Sequence, residues 1–208
     1  MNFSENLKTL RKDGVFSVFA ALIFAAYNCY LGLSKSYGFA ISMAVYYTAL
    51  CSIRLTVFIA EKRTTKSESE RIKIIIVTIS AIVITLNLFL IAPITLMVLQ
   101  KRVVTYGIIP AIGVATYTTY KIISAAIYYK KYTEINGFQP VRRTINLIDA
   151  LASILVLQNT LILVNSDNSQ EMRLLTVYTS AAIFALIMFL SIFRLIKQLK
   201  ISDRKYIK

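Results

Sequence analysis

Three ionisable side chains sit inside long apolar runs of this chain: Arg54, Lys121 and Asp149. Arg54 stands seven residues before Glu61, Lys121 nine before Lys130, and Asp149 six after Arg143. If each run is a helix rising 1.5 Å per residue, all three lie ~9–13 Å in from a basic end, nearly at one level. A charge inside a bilayer costs at least ~2.5 kcal/mol on insertion scales, so such a group faces protein or a wet cavity. Two cations and one carboxylate at a shared depth predict a cluster with one surplus positive charge, suited to a small anionic ligand. Asn146 falls one turn before Asp149 on the same face and is a candidate to bond it. Tyr117 and Gln158 are candidates for the wall of the site, as are Tyr120 and Ser153. Lys121 is the deepest cation, and its removal is expected to strand Asp149. Each charge also has a plain structural reading. Arg54 can run its stem toward the headgroups, which the deeper Lys121 reaches only under strain, and the positive end of a helix dipole favours a carboxylate at Asp149.

Other chemistries lack their residues. The chain has no histidine and two cysteines, Cys29 and Cys51. Placed in neighbouring spans, the cysteines differ in depth by roughly 15 Å, too far for a disulfide. Without His or a paired-Cys motif, no zinc or haem site, other metal site or cofactor is expected. No nucleophile–base pair and no pair of buried carboxylates is visible, so the reading is not an enzyme.

The elements that must hold the cluster are six apolar runs: Val15–Leu33, Tyr37–Ala60, Ile74–Leu99, Val103–Tyr129, Ile145–Val164 and Leu174–Ile196. A helix needs ~20 apolar residues to cross a bilayer core. In a chain of 208 residues, 57% hydrophobic, six crossings leave only short loops and tails around a single transmembrane domain, 1–208. Of the 24 Lys and Arg, 18 fall in the two tails and the second and fourth loops. Four (Lys35, Lys101, Arg102 and Arg173) fall in the opposite loops. The remaining two are Arg54 and Lys121. Cytoplasmic loops retain Lys and Arg, so the expected fold is an all-α polytopic bundle of six helices with both termini in the cytoplasm of a plasma membrane. The same rule accounts for the net charge of +14 without nucleic acid, and the basic segments would meet anionic lipid headgroups. Tyr27, Tyr30, Tyr37 and Tyr106 near one level, and Tyr128, Tyr129 and Tyr132 near the other, suit interfacial belts.

Short loops at 34–36, 100–102 and 165–173 predict three antiparallel hairpins. An Asn in each odd run (Asn28, Asn87, Asn159) and Tyr-Thr in each even run fit a threefold repeat, or equally ordinary interhelical hydrogen bonds. Pro93 is expected to kink the third run, and Gly107, Pro110 and Gly113 to loosen the start of the fourth. Ala21 and Ala25, four apart, are candidates to dock a partner helix.

The stretches AAYNCYLGL, AVYYTALCSIRL, ATYTTYKIISAAIYYKK and RRTINLIDALASILVLQ resemble a family of uncharacterised six-span membrane proteins from Gram-positive bacteria. The resemblance implies that Tyr27-Asn28, Tyr46-Tyr47, Arg54, Tyr117, Lys121 and Asp149 recur there. In length and span count the chain also resembles the S components of energy-coupling-factor transporters. The leading expectation is a transporter or membrane solute-binding subunit, which calls for a polar cavity reaching Lys121. The alternative is a scaffold, regulatory or immunity-type protein without transport, which calls for a solid bundle.

Overall fold

A computed structural model of the protein describes residues 3–63, 69–99, 108–131, 138–165 and 170–203. They form seven helices and, among the described residues, no strand: α1 (Phe3–Ser34), α2 (Gly38–Arg63), α3 (Ser69–Leu88), α4 (Ile91–Leu99), α5 (Ile108–Lys131), α6 (Gln139–Asn165) and α7 (Gln170–Asp203). Five segments are long and apolar enough to cross a membrane: Ser17–Ser34, Gly38–Arg63, Ile74–Met97, Gln139–Val164 and Leu174–Leu199. Helix α5 has 24 residues, or ~36 Å at 1.5 Å each, so it has the length to cross. Its middle, TYTTYK, is what makes it less apolar than the others. Helices α1 and α6 begin before their apolar runs, because helix formation ignores the hydrophobic boundary that defines a span. Pro140 sits in the first turn of α6, where a missing N–H breaks no helical bond.

Pro93 acts as expected. It removes the N–H that would bond the carbonyl of Phe89, and the helix breaks just before it. Phe89 and Leu90 donate instead to Leu86 and Asn87, three residues back, at 3.1 Å each. Pro110 is different. It lies in the first turn of α5, and that helix runs unbroken to Lys131; Gly107 lies outside the described residues. Helix α1 ends in a tight turn, with Ser36 at φ 50° and Tyr37 N–H donating to Gly32 at 2.9 Å. Gly32 is required there because a Cβ would lie 2.9 Å from the backbone nitrogen of Ile41.

Helices α2 and α6 form the centre. About 44% and 50% of their span residues are buried, against 17% for α7. Around this centre α1 packs on α2, α5 on α6, and α3 with α4 on α2 and α7. The expectation of three successive hairpins is met for α1–α2 and α6–α7, which pair across short connections, whereas among the described residues α5 packs chiefly on α6 and at most slightly on α4. Ala21 and Ala25 are buried within the bundle. The structure thus corrects their reading as a docking stripe, since the protein's own core occupies that face. Tyr106 and Tyr132, and Lys66, Lys101, Arg102, Arg204, Lys205 and Lys208 of the charge pattern, lie outside the described residues. Elsewhere the surface is strongly apolar, with Ile109, Tyr178 and Phe189 among many exposed large side chains. Water-soluble monomers rarely carry such continuous patches; a lipid-facing bundle does.

Candidate functional site

Arg54, Lys121 and Asp149 meet. Arg54 Nη2 and Lys121 Nζ both donate to Asp149 Oδ2 at 2.6 Å. Side-chain exposure is 7%, 4% and 0% for the arginine, lysine and aspartate. The encounter follows from helix pairing: α2 lies against α6 and α5 against α6, so the carboxylate of the shared neighbour stands between the two cations. Ser17 of α1 completes the group. Its hydroxyl oxygen accepts from Arg54 Nη1 and, at 3.4 Å, from Lys121 Nζ. Tyr117 lies beneath the ammonium, with its ring centroid 5.2 Å from Lys121 Nζ, and stacks on Phe24 of α1 at 4.1 Å.

The charges are only partly satisfied. Asp149 Oδ1, Arg54 Nε and the hydroxyls of Tyr47 and Tyr117 are buried without a hydrogen-bond partner. Both cations use one carboxylate oxygen, leaving a surplus positive charge in a site where an unpaired charge is costly. A cavity of about 650 Å³ adjoins the cluster, within the ~300–1,000 Å³ of ordinary ligand sites. Arg54, Ser17 and Asn146 line it, and its other walls are mostly aliphatic and aromatic. Lys121 is not part of the lining. The cavity reaches Arg54 instead of the expected Lys121, and its lining is more apolar than expected. At the basic end Arg142 pairs with Glu61 and lies over Phe58, 5.9 Å from the ring centroid.

Two sequence expectations shift here. Asn146 lines the cavity but leaves Asp149 Oδ1 unbonded. Gln158 stands apart: nine residues from Asp149, or ~13 Å along α6, it donates to Thr176 O at 3.3 Å and to the Thr179 hydroxyl of α7. Tyr120 lines the cavity, and Ser153 bonds the Ala150 carbonyl of its own helix at 2.7 Å. Lys121 shares Asp149 Oδ2 with Arg54 at an equal 2.6 Å, so the carboxylate would keep Arg54 beside it if the lysine were removed. Ser17 was missed. Five residues after Lys12, it lies ~7.5 Å past the basic end, so matching depth among neutral residues, as among charges, would have found it. Among the described residues no three of His, Cys, Asp and Glu come together to hold a metal.

The fold and the cluster define an all-helical protein of membrane type with a partly satisfied cationic site. No family model, curated protein or solved structure matches the chain.

Proposed function

We propose that the chain is a multi-pass plasma-membrane protein that binds an anionic solute at Arg54, Lys121 and Asp149, as a transporter or as the solute-binding subunit of one. In this reading α5 is the sixth span, both termini are cytoplasmic, and the cluster opens toward the cytoplasmic leaflet. One observation carries the reading: two buried cations share one carboxylate oxygen beside a cavity of about 650 Å³. An anion at Arg54 would neutralise the surplus charge. The cavity speaks against the solid bundle that the scaffold alternative called for, but it is mainly apolar and stops at Arg54, not at Lys121 as the transport reading called for.

Ligand-induced stabilisation tests it, since a ligand that binds only the folded state raises the melting temperature. A panel of carboxylates, inorganic phosphate and alkyl phosphates should include compounds that raise it in the parent and not in Arg54→Gln. No shift with any member would refute the reading. Orientation is tested separately in a Cys29→Ser/Cys51→Ala background. An impermeant thiol reagent added outside intact cells should label Ser36→Cys and miss Lys62→Cys.

A further inference from the structure

The cavity has the wrong walls for a simple hydrated anion. Its polar lining is Arg54, Arg142, Ser17, Ser124 and Asn146, and the rest is chiefly apolar, including Phe19 and Leu22 of α1 and Ile123 and Ile127 of α5. These four side chains line the cavity and are also 61%, 47%, 53% and 58% exposed. They are therefore its rim, and the rim lies between α1 and α5. Those helices touch where Phe24 stacks on Tyr117 and where Lys121 reaches Ser17. Each otherwise packs chiefly on its own neighbour, α1 on α2 and α5 on α6. Once the bundle spans a bilayer, a rim of this composition faces hydrocarbon. A small hydrated anion arriving there would have to shed its water in lipid, at high cost. An amphiphile is already in that medium.

The polar groups stand where a head would rest. Arg54 lines the cavity and brings its guanidinium charge there, while its unpartnered Nε–H is itself enclosed. Ser17 Oγ accepts from both cations, which leaves its own proton to donate. A hydroxyl donor beside a surplus positive charge suits a carboxylate or phosphate oxygen.

We infer that the cavity takes a single-chain anionic membrane amphiphile, which enters sideways between α1 and α5. Its head lies on Arg54 and Ser17 and its alkyl chain along Phe19, Leu22, Ile123 and Ile127. The inference rests on the anion-binding reading above and names its ligand class. Free fatty acids and phosphate-headed single-chain lipids share this chemistry.

The chain has no tryptophan, so Phe19→Trp places a sole tryptophan on the rim, excited selectively over the tyrosines at long wavelength. In non-ionic detergent, a fatty acid brominated at mid-chain should quench it saturably, at least ~10-fold more tightly than its methyl ester. Acetate and inorganic phosphate should displace it poorly. Dodecanoate or dodecyl phosphate should displace it well, and the better of the two identifies the source. Ser124→Phe, which narrows the cavity without touching the charges, should weaken quenching ~10-fold or more. Arg54→Gln should abolish the preference for acid over ester. Equal quenching by acid and ester in the parent would mean mere partition into the micelle, and would overturn the inference. Binding of acetate or phosphate as tight as that of the long-chain acid would overturn it too, while sparing the anion site. Failure of every anion to bind would remove both.

Discussion

Two layers beside the α2–α6 centre handle their buried polar groups differently. Toward α3, α4 and α7, neutral groups form a chain. Tyr46 donates to Asn87 at 3.2 Å, Asn87 to Ser191 at 2.8 Å, and Ser191 to the Ile187 carbonyl at 2.8 Å. A void of about 10 Å³ lies there, at the lower limit for a single water, and among the described residues only at its edge do charges go unmatched, where Arg194 Nε and two nitrogens of Arg143 lack a partner. Toward α1 and α5, two cations compete for one carboxylate oxygen, four polar atoms go unpartnered, and the void is about 650 Å³. Neutral donors and acceptors can be matched one to one, which closes a bundle. Charges in excess cannot, and here the excess adjoins space. One side holds the molecule together; the other is arranged for something not supplied by the chain.

The largest expected effect tests the charged side. Asp149→Asn leaves Arg54 and Lys121 buried together without a counter-charge, and should cost ~3–5 kcal/mol, read from chemical or thermal unfolding in detergent. Adding Lys121→Met should recover part of the loss by removing one stranded cation. No recovery would mean that the two cations do not share the carboxylate.

Overpacking separates the sides next. Ser191 is 3% exposed in the closed layer, so Ser191→Phe should cost ~1–3 kcal/mol. Ser124→Phe projects into the cavity and should leave stability nearly unchanged. Equal losses would show that the cavity is not space available to a side chain.

Asn87→Leu cuts the neutral chain and strands the Tyr46 hydroxyl. Interhelical hydrogen bonds in membranes average ~0.6 kcal/mol with a maximum of ~1.7, and the measured loss should fall in that range. The smallest effect is expected for Lys121→Ala. It leaves Arg54 and Asp149 as a neutral pair, and relief from burying an ammonium offsets the lost bond. The change should stay under ~1 kcal/mol in either direction. A loss as large as that of Asp149→Asn would make Lys121 the principal partner of the carboxylate, with Arg54 a bystander.

How much of this was legible in the sequence follows from what a sequence encodes about a membrane helix. The level of Arg54, Lys121 and Asp149 could be counted from the basic ends, because charge marks where each apolar run stops. The break before Pro93 could be read because a missing N–H acts locally. Gln158 could not be assigned: its depth was known, but its direction was not, and it turns to α7. Ser17 shares the level of the charges but was passed over because a hydroxyl carries no hydropathy signal to stand out by.

The sequence by itself determined the helices, their apolar runs, the lopsided basic residues and the shared layer of charge. Only the tertiary structure decided that α3 lies on α7, that α5 packs chiefly on α6, that Ala21 and Ala25 face inward, and that the cavity opens between α1 and α5. The physical reason is the solvent. Lipid tails are as apolar as Leu, so a membrane helix can be apolar on every face. Its sequence records how deep each residue sits and says little about which way it points.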